Sequence, residues 1–286
     1  MKRLRWIILL RLLALLLCAC KRDERREGIL QIYFLDVGQG DSILFRTDGG
    51  DILVDTGPES HQDLLCLRLE ELGVRELALM VLSHPDEDHI GGVDGVLRQI
   101  PTKEVWLSGA PMENESARRL LSVMEETNVS TRLVHAHDAR SIGGVDFRVL
   151  MPFGNQGTEG GNEGSIVLLV DYGETQVMLT GDAGVSEELA LLASYVPAHL
   201  DCDIYKVGHH GSNTSTCVAF LQAMSPQYAV ISCSADNSYG HPMGEVLTRL
   251  EEHGATTLRT DLIGEILFET DGQTIWRPAE AEKGET

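Results

Sequence analysis

One dense cluster of polar residues sets the narrowest limit on what this chain can fold into. The pattern His84-x-Asp86-x-Asp88-His89 follows the apolar run Leu77–Leu82 and precedes two glycines. A short apolar run of this kind predicts a buried strand, so the cluster is expected on the loop where that strand ends. Imidazole and carboxylate groups are the usual ligands of catalytic first-row metals. We therefore predict a metal site here, in preference to a loop that is rich in histidine and aspartate by chance.

The remaining sequence alternates short apolar runs with stretches of helical periodicity. Helices are predicted at residues 62–72, 93–100, 114–127, 185–193, 213–224 and 243–253. Strands are predicted at residues 30–35, 42–46, 51–54, 77–82, 104–107, 132–135, 145–150, 165–172, 175–180, 203–207 and 227–232, and near Thr257, Ile266 and Thr274. The helix at 213–224 is expected to begin at Asn213 as its N-cap. This mixture predicts an α/β fold, but the pattern alone does not choose between α/β layouts.

Composition limits the class of protein further. The 286 residues are 43% hydrophobic and 23% charged, which suits one large domain with a sizeable core. The 44 acidic residues exceed the 23 basic ones, giving a net charge of −21. Such acidity argues against a general nucleic-acid coat protein, which would carry a basic face. It is compatible with a nuclease whose metal ions supply local positive charge, and equally with a charge that only aids solubility.

Three separate motifs together resemble a known family. His84-x-Asp86-x-Asp88-His89 resembles the metal motif of the metallo-β-lactamase fold, with Asp86 where most members have histidine. With Asp36-Val-Gly-Gln-Gly-Asp41 upstream and His209-His210-Gly211-Ser212 downstream, the set is similar to the hydrolase domain of ComEC-type DNA-uptake proteins. The resemblance spans residues 30–277 and implies a four-layer αββα sandwich. It does not extend to the membrane channel of those proteins, so no channel function is carried over.

The same resemblance implies a ligand set for two metals. One metal is expected to take His84 and Asp86, the other Asp88 and His89, with Asp182 bridging the two. One histidine of the downstream pair is expected to complete the second site. We favour His209 because it is nearer the preceding strand, which leaves His210 to contact a ligand or the substrate.

Further residues are expected around these ligands. By resemblance, Asp55 orients a ligand histidine through its ring N–H. A third histidine, present in many family members, has no clear match here, because His135 and His137 lie on a different-looking segment. Asn162 and Ser165 instead resemble the Asn/Ser stretch of the ComEC group. The first metal is therefore expected to have fewer protein ligands than the second.

The ligand types indicate the metal and the reaction. Carboxylates and histidines without sulfur favour Mn²⁺ or Mg²⁺, without excluding Zn²⁺. Two such ions about 3.5–4 Å apart can stabilise the entering and leaving oxygens of a phosphodiester. His241, in a motif that resembles a late family motif, is expected to protonate the leaving oxygen, the alternative being an ordinary turn histidine. Asp88 and His241 are thus the predicted catalytic residues.

The N-terminus predicts a targeting segment. A basic start precedes an apolar stretch at residues 6–17, interrupted by Arg11, which is too short for a confident membrane span and fits a signal peptide. The following Leu17-Cys18-Ala19-Cys20 resembles a bacterial lipobox with Cys20 as the lipidated residue. We expect a signal peptide at 1–20, a charged tether at 21–28, the metallo-β-lactamase-like hydrolase domain at 29–278 and a disordered acidic tail at 279–286. The protein would then be exported and anchored on the extracytoplasmic face of a bacterial membrane. An uncleaved anchor or a misplaced start is the alternative.

Three functions remain open at this point. The first is an exported metal-dependent phosphodiesterase, specifically a nuclease acting on DNA. The second is a hydrolase of another bond on the same fold, such as a lactone, a β-lactam or a choline phosphoester, because fold does not fix chemistry. The third is a non-enzymatic surface lipoprotein, against which the intact ligand set argues. The remaining cysteines, Cys66, Cys202, Cys217 and Cys233, form no CxxC pair, so they are expected as disulfides or buried thiols rather than metal ligands.

Overall fold

Two β-sheets organise the residues that this computed structural model describes, 25–154 and 161–278. The strands are β1 (Leu30–Phe34), β2 (Ile43–Thr47), β3 (Gly50–Val54), β4 (Leu77–Leu82), β5 (Glu104–Leu107), β6 (Ser130–Leu133), β7 (Ala139–Ile142), β8 (Val145–Met151), β9 (Val167–Tyr172), β10 (Thr175–Leu179), β11 (Ile204–Lys206), β12 (Tyr228–Ile231), β13 (Thr256–Arg259), β14 (Ile266–Thr270) and β15 (Ile275–Trp276). One sheet has the order β15-β14-β1-β2-β3-β4-β5-β6, and the other has the order β13-β12-β11-β10-β9-β8-β7.

Each sheet combines an antiparallel part with a parallel part. Strands β3 to β6 are parallel in the first sheet, and β10 to β13 are parallel in the second. The strands that precede them along the chain, β1 and β2 in one sheet and β7 to β9 in the other, are antiparallel. Parallel neighbours need crossover connections, usually helices. The helices accordingly follow the parallel strands in sequence.

The helices are short. The α-helices are Gln62–Glu71, Glu87–Ile90, Val93–Gln99, Glu115–Thr127, Val185–Ser194, Val218–Met224, Gly244–Glu252 and Thr260–Ile263, and the 3₁₀ turns are Glu59–His61, Asn162–Gly164, Pro197–His199 and Gly208–Gly211. Helix Glu115–Thr127 shows how the sequence sets such a helix. Asn114 is its N-cap and accepts a hydrogen bond from the Ala117 N–H at 2.8 Å, which satisfies a backbone donor that the helix itself leaves unpaired.

Three buried apolar clusters define the layers. One lies between the two sheets, where Phe45 and Phe147 meet edge to face with ring centroids 5.5 Å apart. The second joins the outer face of the first sheet to helices Gln62–Glu71, Val93–Gln99 and Glu115–Thr127. The third joins the outer face of the second sheet to helices Val185–Ser194, Val218–Met224 and Gly244–Glu252. The order is helix, sheet, sheet, helix, which confirms the predicted αββα sandwich.

Strand β1 illustrates why the sequence suits a middle layer. Ile32 and Phe34 pack in the cluster between the sheets, whereas Tyr33 and Leu35 pack in the cluster against the helices. Successive side chains on a strand point to opposite faces, so a strand covered on both faces carries an unbroken apolar run. All five residues of β1 are accordingly buried.

The carboxyl ends of the parallel strands bring the polar motifs together. Asp55 follows β3, and the histidine-rich motif follows β4 after Ser83. In the second sheet, Asp182 follows β10, and the pair His209-His210 follows β11. Residues far apart in sequence therefore share one end of the sandwich, which is the usual position of ligand sites in α/β folds.

Several local predictions differ from the structure. The predicted helix cap at Asn213 is wrong, because the helix begins only at Val218 after Cys217. The intervening turn is held by the Glu188 carboxylate, which accepts hydrogen bonds from the backbone N–H groups of Thr216 and Cys217. Strand β7 was not predicted, and β6 lies two residues earlier than expected.

Other expectations fall partly outside the described residues. The predicted signal peptide with Cys20 and the acidic tail lie there, as do residues 21–24 of the tether. In the two described stretches, no helix combines the length and apolar character needed to cross a bilayer. The four cysteines within those stretches, Cys66, Cys202, Cys217 and Cys233, are free.

Candidate metal centre

Asp55 orients His89, the first of the histidines predicted to bind a metal. Its buried carboxylate accepts hydrogen bonds from Ser83 N–H and Ser83 Oγ–H, both at 2.7 Å, and lies 2.8 Å from His89 Nδ1. The residue is in the left-handed region with φ 59°. Its N–H donates to the Val81 carbonyl at 2.8 Å. A histidine that donates from Nδ1 presents its Nε2 lone pair to a metal, so this contact has the geometry predicted for Asp55.

The short helix Glu87–Ile90 carries Asp88 and His89. The loop with Gly40 packs directly against it, and the Asp41 N–H donates to the Asp88 carbonyl at 3.1 Å. A Cβ on Gly40 would lie 2.2 Å from that carbonyl oxygen, and the φ of this glycine is 148°. Only glycine allows this approach, which gives the upstream Gly-Gln-Gly motif a structural reason.

Four ligand-type side chains form one compact cluster. Suitable atoms of Asp88, His89, Asp182 and His210 all lie within 4.8 Å of one another. His89 Nε2 is 3.1 Å from Asp182 Oδ1, and His210 Nε2 is 3.2 Å from Asp88 Oδ2. Bond lengths near 2.0–2.2 Å put neighbouring ligand atoms of one ion roughly 3–3.5 Å apart. The cluster thus has the spacing of a single metal site.

The geometry favours His210 over His209 for this cluster, contrary to the preference from sequence. Both residues have left-handed backbones, with φ 49° at His209 and 54° at His210. The His210 side chain is 1% exposed, and its Nδ1–H donates to the Ser232 carbonyl at 2.9 Å. The His209 side chain is 26% exposed, and its Nδ1 contacts Thr214 Oγ1. The strained turn sends the second ring, not the first, into the buried cluster.

The other predicted metal position is more open. His84 Nε2 lies 3.6 Å from Asp86 Oδ2 and 3.8 Å from Asp182 Oδ2. His209 Nε2 approaches the same Asp182 oxygen at 3.5 Å. Asp182 thus faces the compact cluster with Oδ1 and this open group with Oδ2, an arrangement that suits the predicted bridge.

The Asn/Ser segment supports this side without supplying an imidazole. Ser165 Oγ accepts a hydrogen bond from the Asp182 N–H at 3.2 Å, and the Ser165 N–H donates to the Asn162 carbonyl. A Cβ on Gly161 would lie 3.2 Å from Asp86 Oδ1, so the segment closes on that carboxylate. His135 and His137 are not among the described residues that line the central cavity.

The buried atoms of the centre fit a divalent cation. His84 Nε2, His89 Nε2, His210 Nε2 and Asp182 Oδ1 are buried, and none has a hydrogen bond of good geometry within the described residues. Buried polar atoms are rarely left unsatisfied, and each such case needs an explanation. Imidazole nitrogens and carboxylate oxygens converging without donors of their own are a ligand set for Mn²⁺, Zn²⁺ or Mg²⁺.

Charge interactions point the same way. Burial lowers the pKa of His210, but the negative charges of Asp182 and Asp41 raise it to about 9. His89 behaves alike, because Asp182 and Asp55 hold its pKa well above the usual value against the effect of burial. Burial raises the pKa of Asp88, but His210 and His89 bring it down to about 2. The carboxylates stay ionised and attract positive charge, which protons supply when no metal is bound.

A second supporting carboxylate, that of Asp41, lies beside His210 and was not predicted from the sequence. Asp41 Oδ1 lies 3.4 Å from His210 Nδ1, and Asp41 Oδ2 lies 2.7 Å from the Nζ of Lys206. The side chains of Asp41 and Lys206 are 2% and 0% exposed. In the sequence, Asp41 is noticeable only as the last residue of an upstream motif. No local sequence pattern indicates a role for Lys206, because its partner is distant in sequence.

The centre opens to solvent through two connected spaces. A cavity of about 170 Å³ lies over the ligands and is bounded by Asp86, Asp88, Asp182, His209, His210 and His241, together with Gln39 and Tyr239. An adjoining groove of about 490 Å³ shares Gln39, Asp86, Asp88 and Tyr239 with it. The His241 ring lies 5.6 Å from that of His209. Burial, followed by the neighbouring His209 and His210, lowers the pKa of His241.

Comparisons with known proteins agree with this architecture. The profile of the Metallo-beta-lactamase superfamily matches residues 35–235. The Competence protein ComA of Neisseria gonorrhoeae is 37% identical over 235 residues, covering 82% of this chain and 31% of that protein. ComE operon protein 3 of Bacillus subtilis (strain 168) is 29% identical over 256 residues, covering 83% and 33%. The chain therefore spans about a third of the length of these relatives.

A solved structure shows the same fold. The metallo-beta-lactamase fold protein YhfI from Bacillus subtilis superposes with a TM-score of 0.57 at 11% identity. The match covers 84% of this chain and 100% of that one. At this level of identity the likeness concerns the fold alone.

Proposed function

The chain belongs to the metallo-β-lactamase superfamily as a hydrolase related to competence proteins, and on that premise we propose that it is an exported metal-dependent phosphodiesterase acting on DNA. The observation that carries the proposal is the buried convergence of His89 Nε2, His210 Nε2 and Asp182 Oδ1 beside Asp88. Divalent ions held there would activate water and neutralise charge on a phosphoryl group.

The protein's own groups prepare the centre for that chemistry. Asp55 at the Nδ1 atom of His89 and the Ser232 carbonyl at that of His210 orient both rings with Nε2 turned toward Asp182, and Asp41 adds negative charge beside His210. Fixing ligand tautomers in this way raises affinity for a metal. His241, at the rim of the cavity, remains the candidate for protonating the leaving oxygen.

DNA is proposed as the substrate because the motifs resemble those of ComEC-type DNA-uptake proteins and one relative is named Competence protein ComA. The similarity covers most of this chain but only a third of each relative, so the proposal does not include a role in DNA uptake. Export and lipid attachment at Cys20 are proposed from the basic and apolar N-terminus.

A substrate panel tests the proposal. The purified protein is stripped of metal, reloaded with Mn²⁺, Zn²⁺ or Mg²⁺, and offered DNA, bis(p-nitrophenyl) phosphate, nitrocefin and a lactone. We expect phosphodiester cleavage that Mn²⁺ supports at least as well as Zn²⁺. His89→Ala should abolish it, and His199→Ala, a change on an exposed turn, should not. Cleavage of nitrocefin or the lactone without phosphodiester cleavage would contradict the proposal, as would no cleavage at all.

A further inference from the structure

The groove beside the metal cavity has a charge that a nucleic-acid backbone would not tolerate. Its walls include Asp86, Glu87, Asp88 and Asp236, and no lysine or arginine is among the described residues that line it. Binding along a phosphate chain normally uses Lys or Arg at each phosphate. Bound metals would offset Asp86 and Asp88, but Glu87 and Asp236 would keep their charges. The groove therefore suits a neutral part of a substrate, not further phosphates.

An exposed aromatic ring stands where the groove meets the cavity. Tyr239 is 64% exposed and borders both spaces. Its ring stacks on that of His241 with 21° between the planes and 5.6 Å between the centroids. The tyrosine ring therefore lies against His241, beside the predicted metal ligands. Aromatic rings beside nucleic-acid sites commonly stack with bases.

A polar side chain borders the same junction. Gln39 borders both spaces, and its Oε1 accepts a hydrogen bond from the Ser234 N–H at 3.2 Å, which fixes the orientation of the amide. The other end of that amide, Nε2, is buried and has no hydrogen-bond partner within residues 25–154 and 161–278. A buried donor without a partner is costly, so an acceptor on a ligand would satisfy it.

From these three features we infer that the groove is a nucleoside subsite. Tyr239 stacks with a base, and Gln39 Nε2 donates a hydrogen bond to an oxygen of the nucleotide. The nucleoside in the groove is the last one of the DNA strand. The inference rests on the proposed phosphodiesterase function and narrows its substrate class. One phosphodiester lies at the metals, and one uncharged nucleoside lies in a groove of about 490 Å³, within the usual range for small-ligand sites. The enzyme then acts on the ends of single strands and on dinucleotides, not within a duplex.

Two substrates with the same leaving group measure how much the nucleoside contributes to kcat/KM. Thymidine 5′-(p-nitrophenyl phosphate) and methyl p-nitrophenyl phosphate both release p-nitrophenolate and differ in whether a nucleoside is present. We expect Tyr239→Ala to lower the ratio of their kcat/KM values, nucleoside over methyl, by about 5- to 150-fold, the range of base–aromatic stacking. Tyr239→Phe should keep the ratio, and Leu133→Ala, a truncation at another exposed apolar residue, should also keep it. Equal losses on both substrates in Tyr239→Ala would overturn the inference.

The need for a free DNA end is tested with one linear and two circular DNA substrates. Linear single-stranded DNA should be degraded from an end, whereas circular single-stranded DNA and closed circular duplex should persist. Circular single strands cut as fast as linear ones would overturn the end-specific reading.

Binding separates this inference from the proposed reaction. Calorimetry measures thymidine 5′-monophosphate binding to the metal-loaded protein, with or without detectable hydrolysis. Tyr239→Ala should weaken it at least about fivefold. Gln39→Glu keeps the acceptor for Ser234 N–H but replaces the donor, and should weaken it about tenfold or more. Unchanged affinity in both variants, or no binding by the wild type, would overturn the subsite. Failure of all hydrolysis with the expected binding losses would reject only the reaction.

Discussion

At the scale of single residues, the choice between His209 and His210 carries the most chemical weight. Their order in the sequence does not decide it, because adjacent histidines of the same type have no local signal that separates them. The decision comes from two consecutive left-handed residues and from a carbonyl, that of Ser232, which lies in the next strand connection. Because the acceptor that orients the His210 ring is distant in sequence, a local sequence pattern cannot predict that orientation.

Metal content distinguishes the two histidines. His210→Ala should lose the tightly bound ion, because it removes a ligand from the compact cluster. His209→Ala should retain one tight ion and lose affinity only at the open side. Elemental analysis after dialysis against trace metal measures both. The opposite result, with the tight ion kept in His210→Ala and lost in His209→Ala, would restore the preference drawn from the sequence.

Protonation gives a second test at this scale. The pKa of His210, raised to about 9, means that its ring is positively charged near neutral pH when no metal is bound, and the raised pKa of His89 favours the charged ring there too. A metal needs the neutral ring, so binding should release protons at pH 7.5, and the apparent metal affinity should rise with pH up to about 9. Calorimetry in buffers of different ionisation enthalpy measures the release. No release, or an affinity that falls as pH rises over this interval, would contradict the charge account.

The Asp41–Lys206 pair makes a prediction about stability. Lys206→Met leaves the buried Asp41 carboxylate without its lysine partner; breaking a buried pair costs about 3–5 kcal/mol, and the nearby His210 places the expected loss at the lower end, about 3 kcal/mol. Urea unfolding of the metal-free protein measures the change, and adding Asp41→Asn should recover part of the loss. Lys103→Met, which breaks the exposed pair with Glu76, is the matched control and should cost at most about 1 kcal/mol. Equal small losses in both lysine variants would contradict the role of burial.

At the scale of elements, the apolar runs were sufficient to predict most strands. Strand β4 is buried at all six positions, and its position in the chain placed the metal motif at a strand end. Strand β7 was not predicted from the sequence because it is a short, largely exposed edge strand with no apolar alternation. The true helix start at Val218 also had no local signal, since the turn before it is fixed by Glu188 from another helix.

The loop before β2 supports the site through its close backbone approach. Gly40→Ala places a methyl group against the Asp88 carbonyl and in an unfavourable backbone region, so the helix Glu87–Ile90 must shift. We expect metal affinity to fall at least about tenfold, measured by competition with a chelating dye. Gly244→Ala, where an added Cβ meets nothing within 4 Å, should leave affinity unchanged. Wild-type affinity in Gly40→Ala would show that this contact does not position Asp88.

At the scale of the whole molecule, the sequence predicted the layers only through its family resemblance. Periodicity could indicate strands and helices, but not that β3 pairs with β4 in one sheet while β10 pairs with β11 in the other. Those pairings bring Asp55, the β4 loop, Asp182 and the two histidines to one end of the sandwich. The net charge of −21 is partly concentrated at this end, where we propose that carboxylates hold the metals and line a groove that excludes further phosphates.

Metal titration of the stripped protein tests the central claim most directly, with bound Mn²⁺ and phosphodiester cleavage followed in the same samples. The account predicts no cleavage without metal, cleavage that rises as the site fills, and neither tight binding nor cleavage in Asp182→Ala, which removes the carboxylate shared by both sides. Cleavage by the stripped protein, or undiminished cleavage in Asp182→Ala, would contradict it.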